Sequence, residues 1–313
     1  MTLNERIDAL EARLHAADEH LSVKRNALMA RYTTLHLGGP ADILVSPDKP
    51  EQIPMILKTA HELDVPVIII GNGSNLLVKD GGIRGLVLRL CRDMQHIEIK
   101  GNTIRAEAGA MMSTLSMAAA QANLMGLTFA SGIPGTVGGG VYMNAGAYGG
   151  EMAQVVSLVE GYDMNGEPFS YNHYEMDFSH RHTRLMDENK LITHVTFQLK
   201  PGKREELLAE MVDFNTRRAE KQPLTQFSAG SSFKRPPNGF ASAMVDQCGL
   251  KGFTVGGAQV SEKHAGFCIN KGGTAADFLQ LMAEVQKAVY EKFDTMLEPE
   301  VRILGEDAPA TEI

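Results

Sequence analysis

Val65-Pro66-Val67-Ile68-Ile69-Ile70-Gly71-Asn72-Gly73-Ser74-Asn75-Leu76-Leu77-Val78 reads as a strand running straight into a glycine-rich turn. The unbroken apolar run over 65–70 predicts a strand covered on both faces, of the kind found in a small βαβ unit. Glycine alternating with amide and hydroxyl residues behind such a strand makes a tight turn with outward-pointing amides. A nest of that kind suits a pyrophosphate, with Ser74 and Asn75 adding side-chain hydrogen bonds. The competing reading is an ordinary turn. The glycine spacing does not fit GxGxxG and no Gly-Lys-Ser or Gly-Lys-Thr follows, so a ligand held here belongs to neither the Rossmann nor the P-loop class.

Upstream, residues 2–31 read as one amphipathic helix with Leu3, Ile7, Leu10 and Leu14 on a stripe. The segment 41–45 is strand-like, and a helix is expected over 51–63. Downstream the texture changes. Residues 96–100 and 103–107 alternate around Gly101-Asn102, which is a hairpin signal. A helix rich in small residues and methionine is expected over 111–124, and strands over 154–162 and 191–199, so the middle block reads as α+β and mainly antiparallel. A charged helix over 203–219 ends before Lys221-Gln222-Pro223, a plausible boundary. Further helices are expected near 240–249 and 275–292. The second opens with Thr274 and Asp277 at capping-box spacing and carries Phe278, Leu281, Met282, Val285 and Val289 on one face. Strands are expected within 263–270 and 299–304.

A second glycine cluster, Gly132-Ile133-Pro134-Gly135-Thr136-Val137-Gly138-Gly139-Gly140, leads on to Met143-Asn144-Ala145-Gly146-Ala147-Tyr148-Gly149. In regular structure each glycine costs roughly 0.5–1 kcal/mol against alanine. A stretch this poor in side chains therefore predicts a loop with a flat ring or a phosphate lying against it; a glycine-rich connection with no ligand is the alternative.

Composition narrows the classes. The 313 residues are 43% apolar and 22% charged, which is globular composition with room for two or three domains. The 31 glycines are clumped rather than tandemly repeated, and apolar residues lie between them, which argues for loops and against low complexity. No apolar run approaches the ~18 residues of a membrane span. The first residues lack the basic start and apolar core of a signal peptide, so a cytoplasmic location is expected. A net charge of −8, with no Lys/Arg cluster among aromatics, argues against nucleic acid. Cys91, Cys248 and Cys268 show neither disulfide nor zinc spacing and read as small apolar side chains.

Tyr32-Thr33-Thr34-Leu35-His36-Leu37-Gly38-Gly39-Pro40-Ala41, then GNGSNLLV (71–78), GIPGTVGG (132–139) and MNAGAYG (143–149) follow one another in this chain. AGSSFKRP (229–236), GLKG (249–252), GGAQVSEKHA (256–265) and LEPEVRILG (297–305) come after them. In this order the motifs resemble the UDP-N-acetylenolpyruvoylglucosamine reductases over nearly all of Tyr32 to Gly305, in the shorter subtype without an inserted tyrosine-bearing lid. The resemblance implies an α+β chain with the FAD-binding fold of the vanillyl-alcohol-oxidase type and a C-terminal substrate-binding domain. Its subdomains would be 1–88 (with 297–313 returning to it), 89–221 and 222–296. It implies NADPH-dependent, FAD-mediated reduction of UDP-N-acetylglucosamine enolpyruvate to UDP-N-acetylmuramate, in peptidoglycan precursor synthesis. Hydride would reach the terminal enolpyruvyl carbon and a proton its neighbour. Partners would be the small UDP-sugar and NADPH, with no membrane, no nucleic acid and no metal, in a monomer.

Residue by residue, the resemblance places Arg181, Ser231 and Glu300 in the second half-reaction, with Ser231 as the proton donor. A fixed guanidinium lowers the barrier where negative charge develops, and a hydroxyl donor needs a strongly basic partner in a dry pocket. The residues alone leave alternatives open: Ser232 competes with Ser231, Arg181 reads as a surface cation, and Glu300 as a partner of Arg302 or a cap on a strand end. Gly71, Asn72, Gly73, Ser74, Asn75 and Leu76 would hold the cofactor, together with Gly132, Ile133, Pro134, Gly135, Thr136, Gly138, Gly139, Ala145 and Gly146. Tyr148, Lys221, Arg235 and His264 would touch substrate; for His264 a satisfied strand-edge histidine is the alternative. Four departures stand out: His180-Arg181-His182-Thr183 in place of Tyr-Arg-(His/Asp)-Ser, Gly140 for alanine, Thr128 for glutamate, and Gly266 for asparagine. They point to a divergent member. The competing functions are another flavin oxidoreductase of the same fold, or a weakly active paralog that binds FAD or a UDP-sugar.

Overall fold

The computed structural model describes residues 1–91 and 93–308. The chain divides into two units that interleave along the sequence. One is built from Met1–Arg25, Ile43–Asn72 and Gly85–Arg217, the other from Asn26–Asp42, Gly73–Arg84 and the described chain from Arg218 onward.

In the first unit the helix Leu3–Ala17 opens on a capping box, in which Thr2 and Glu5 each accept the other's amide. It is shorter than the helix expected over 2–31. The apolar stripe ends at Leu14, Asp18 turns the backbone extended, and Ser22–Leu28 forms a strand instead. That strand stands at one end of a four-stranded sheet ordered Ser22–Leu28, Pro40–Ser46, Ile83–Arg89, Val67–Ile70. Ile7, Leu10 and Leu14 pack with Ile53, Ile56 and Leu57 of the helix Ile53–Glu62 and with Ile43, Val45, Leu86 and Leu88 from the sheet. Val67–Ile70 pairs in parallel with Ile83–Arg89, which stands between it and Pro40–Ser46, so the two strands of the expected βαβ unit share the sheet without being neighbours. Its burial departs from expectation: only Ile70 is fully buried, because the strand is terminal in the sheet and has one neighbour.

The rest of this unit is a five-stranded antiparallel sheet ordered Pro168–Asn172, Val156–Tyr162, Leu191–Gln198, Thr103–Glu107, Ile97–Lys100. The expected hairpin is present: Lys100 pairs with Thr103, and Gly101 takes φ +58 in the two-residue turn. The helices Met112–Gln121 and Val137–Tyr142 cover a core that includes Leu115, Val137, Val141, Val159, Val195 and Phe197. The second glycine cluster is thus half helical rather than all loop. Gly138 lies against Ala108 and Gly140 against Met112, so the space their missing side chains vacate is filled by the protein's own core.

In the second unit a four-stranded antiparallel sheet runs Phe227–Ser228, Cys268–Asn270, Ala258–Val260, Thr254–Val255. The helix Ala275–Phe293 buries Phe278, Leu281, Met282, Val285 and Val289 in a core shared with Leu35, Leu37, Leu77 and Val260. Arg302–Leu304 pairs in parallel with Leu76–Val78. The long helix is capped twice. Thr274 and Asp277 form the expected box, and the Asp80 carboxylate accepts the amides of Ala275 and Ala276, each at 2.9 Å. A carboxylate on these otherwise unsatisfied first-turn donors also meets the positive end of the helix dipole. Asp80→Ala is expected to remove about 1–2 kcal/mol of stability and lower Tm by ~2–4 °C in scanning calorimetry, while an unchanged Tm would show that Thr274 and Asp277 suffice.

Candidate active site

The two glycine-rich segments meet in the first unit. A side chain at Gly71 would collide with the Thr136 hydroxyl, so backbone there rests directly on Thr136. Asn72 Nδ2 donates to the Pro134 carbonyl at 2.6 Å, and the Cys91 thiol lies 3.9 Å from Asn72 Oδ1. The Asn72 side chain is therefore spent on clamping one cluster to the other. In the second unit Gly73 takes φ +67 with no room for a β-carbon beside the Tyr32 carbonyl, while its own carbonyl accepts from the Thr34 amide. Asn75 Nδ2 donates to the Glu300 carbonyl at 3.1 Å. Among the described residues, the amides of Asn72, Gly73, Ser74 and Asn75 donate to no protein acceptor.

Four successive amides of this kind fit a diphosphate, as the nest geometry predicts. The short helix that starts at Val137 offers less. Thr136 Oγ1 accepts the Gly139 amide, and the amides of Val137 and Gly138 donate to Ala110 and Ala108. The open side of this cluster is Gly139, which is exposed, with half-buried Gly132, Ile133 and Gly135 and exposed Pro134. Beside them the Ser131 hydroxyl is buried without a partner among the described residues. A free donor next to a side-chain-poor wall suits the polar edge of a flat ring. Both segments fit an FAD.

Arg181 sits in the first unit at the tip of a turn closed by reciprocal Ser179–His182 backbone bonds, with φ +56. Its guanidinium donates to the carbonyls of Asn144 and Gly146, each at 3.3 Å, so it lies against the half-buried Ala145–Gly146 end of the glycine cluster. Thr183, fully buried, donates its hydroxyl to the Tyr142 carbonyl at 2.9 Å. Arg181 is thus built in, and the surface-cation reading loses its ground.

In the second unit Ser231 and Ser232 divide. Ser231 is exposed, whereas Ser232 is 1% exposed and its hydroxyl accepts the Cys268 amide at 2.8 Å. The main chain of Ser232 bonds on both sides, its amide to Gly266 and its carbonyl to the Glu300 amide. Ser231 and Glu300 therefore lie on adjoining extended segments, extended further by the Phe233–Pro299 bridge. Burial pushes the Cys268 thiol up to about 11, so it is a protonated, inert packing group.

The remaining candidates lie as follows. Tyr148, at φ +52, stacks on Phe214 with 4.4 Å between ring centroids and donates its hydroxyl to the Phe214 carbonyl. Lys221 is exposed at the end of the helix Arg204–Lys221, and Arg235 is exposed with its guanidinium 4.1 Å over the Phe240 ring. His264 is half-buried, accepts the Gly266 amide on Nδ1 at 3.1 Å and meets Phe267 edge-on. Sequence reading passed over the side chain of Asn144 and the structural part of Ser232. Asn144 stood within a quoted motif, but no spacing rule says which carbonyl a side-chain amide will reach.

Free amides over 72–75, and in the first unit a side-chain-poor wall with a fixed guanidinium against its end, suit an enzyme with a nucleotide cofactor. Residues 41–170 match the FAD binding domain, and residues 222–304 match the C-terminal domain of UDP-N-acetylenolpyruvoylglucosamine reductase. Over 280 residues the chain is 47% identical to the UDP-N-acetylenolpyruvoylglucosamine reductase of Pediococcus pentosaceus, covering 89% of this chain and 93% of that one. Over 286 residues it is 46% identical to the Clostridioides difficile reductase, covering 91% and 94%. The crystal structure of the Thermus caldophilus reductase superposes with a TM-score of 0.78 at 35% identity, covering 91% of this chain and all of that one. The chain belongs to the UDP-N-acetylenolpyruvoylglucosamine reductase family, and it is an FAD-binding oxidoreductase of α+β fold.

Three of the departures acquire local explanations. At Gly140 a β-carbon would press on the Met112 sulfur at 2.8 Å, at Gly266 it would meet Ser242 and the His264 ring, and Thr183 supplies the hydroxyl that serine would. Nothing in the structure explains Thr128. Burial also holds the His264 ring below its usual 6.5. A neutral ring favoured by folding contributes stability that is complete above 6.5 and is lost as pH falls through the lowered value. Between pH 7 and pH 5 the urea midpoint of the parent protein is expected to fall more than that of His264→Gln; equal slopes would remove His264 as an acid-sensitive group.

Proposed function

We propose that this chain reduces UDP-N-acetylglucosamine enolpyruvate to UDP-N-acetylmuramate with NADPH as the electron source, in peptidoglycan precursor synthesis. Bound FAD would supply the hydride that reaches the terminal enolpyruvyl carbon. The observation that carries the reading is the division of labour at 231–232: one serine is committed to the core, and the other is exposed on the segment bonded to Glu300.

The roles follow from charge. As hydride arrives, negative charge grows on the substrate carboxylate and the enol oxygen. Arg181, immobilised on two carbonyls, meets that charge without reorganising. Ser231 donates a proton to the neighbouring carbon, and Glu300 orients the intermediate or returns a proton to Ser231. Gly71, the amides of 72–75, Ser74, Leu76, the open side of the second cluster at Gly132, Ile133, Pro134, Gly135 and Gly139, and Ala145–Gly146 would hold the cofactor, with Thr136 and Gly138 packed behind that surface. Tyr148, Lys221, Arg235 and His264 contact the UDP-sugar, and exposed Lys221 suits its diphosphate.

The same reading keeps the division into 1–88, 89–221 and 222–296, with 297–313 returning to the first part. The pairing of Arg302–Leu304 with Leu76–Val78 supports that return; residues 309–313 lie outside the described residues. It also keeps the shorter subtype, a monomer, and a cytoplasmic location. No described helix is long and apolar enough to cross a membrane.

Ser231→Ala is expected to leave flavin reduction by NADPH intact and to slow flavin reoxidation by the enolpyruvyl sugar by about 10²–10⁴-fold. Rapid-mixing absorbance would measure both steps. Normal reoxidation in that variant would refute the donor assignment, and NADPH oxidation that ignores the enolpyruvyl sugar would refute the whole reading.

A further inference from the structure

Asn144 is 1% exposed, and both ends of its side-chain amide are used. Nδ2 donates to the Ser179 carbonyl at 2.9 Å, and Oδ1 accepts the Ala153 amide at 3.0 Å. Its own carbonyl receives the Arg181 guanidinium at 3.3 Å. One residue therefore grips the tight 179–182 turn at its base by the side chain and at its tip through the arginine. Asn144 itself takes φ +41, a left-handed conformation that asparagine tolerates better than other non-glycine residues. That conformation lets the chain leave the helix Val137–Tyr142 with two carbonyls, Asn144 and Gly146, available to one guanidinium.

We propose that Asn144 is a positioning residue for Arg181: its amide fixes the turn that carries the arginine, and its carbonyl fixes the arginine head. This rests on the reading that Arg181 meets the charge developing on substrate. The side chain spans the 3-10 helix Met152–Gln154 and the arginine turn, so losing its donor frees the turn while leaving the core packing in place. A displacement of about 1 Å at a group that must face a developing charge is worth on the order of 10²-fold in rate.

Asn144→Asp tests this, because aspartate keeps the size, the left-handed tolerance and the acceptor for Ala153 while losing the donor to Ser179; it also adds a carboxylate near Arg181, so the uncharged Asn144→Gly is the control for that charge. It is compared with Arg181→Ala and with the double variant, using FAD content and the single-turnover rate of flavin reoxidation by UDP-N-acetylglucosamine enolpyruvate. The expected result is retained FAD, a roughly 10–100-fold slower Asn144→Asp, a larger effect on kcat than on KM, and a double variant no slower than Arg181→Ala alone. Losses that multiply in the double variant would mean that Asn144 acts independently of Arg181, and would overturn the inference. A full rate in Asn144→Asp beside a slow Arg181→Ala would overturn it while sparing the proposed function. A full rate in Arg181→Ala would overturn both. Should Asn144→Asp lose FAD, Asn144→Gly, which keeps the backbone conformation, is measured in its place; loss of FAD there too would make Asn144 a cofactor-site residue and defeat the inference.

Discussion

The contact of Gly71 with Thr136 is the constraint around which the first unit's glycine-lined surface is arranged. Backbone can rest on a hydroxyl only where no β-carbon intervenes, and that approach brings Asn72 within reach of the Pro134 carbonyl. Thr136 serves both sides at once, since the same oxygen caps the Gly139 amide. With the side chain of Asn72 so committed, the donors it and the following turn leave open are main-chain amides. Main-chain donors suit a diphosphate because their directions are fixed by φ and ψ, with no side-chain rotamer entropy to lose on binding.

A similar economy holds the side chains proposed to act on substrate. Arg181 takes its orientation from carbonyls that are themselves fixed by a buried asparagine, and a guanidinium anchored in this way meets new charge with little rearrangement. On the other unit, buried Ser232 carries the structural bonds to Cys268, Gly266 and Glu300, and exposed Ser231 is left without that duty. Adjacent residues on an extended segment point to opposite sides, so two neighbouring serines divide naturally into one for the core and one left exposed.

Several features that looked like divergence from the family are local accommodations. Glycine at 140 goes with a methionine at 112 that fills the space an alanine would claim, and glycine at 266 leaves room for the His264 ring. Thr183 keeps a buried hydroxyl on the Tyr142 carbonyl. Such substitutions alter packing partners and leave Arg181, Ser231 and Glu300 in place.

The sequence alone determined whatever depends on local spacing. The hairpin around Gly101-Asn102, the capped helix beginning at Thr274 and the turn at 71–75 were legible because each is a short pattern of turn, cap or apolar residues, and the ordered motifs pointed to the family. Tertiary structure decided the rest. The first helix stops at Ala17 because Ser22–Leu28 is claimed by a sheet whose other strands, Pro40–Ser46, Ile83–Arg89 and Val67–Ile70, lie further along the chain. Gly138 and Gly140 face protein because Ala108 and Met112 reach them from another segment. Ser231 was separated from Ser232, and Asn144 was tied to Arg181, by bonds that span some 35 residues. Bonds of that range are set by how sheets and helices stack, and no local pattern encodes the partner at the far end.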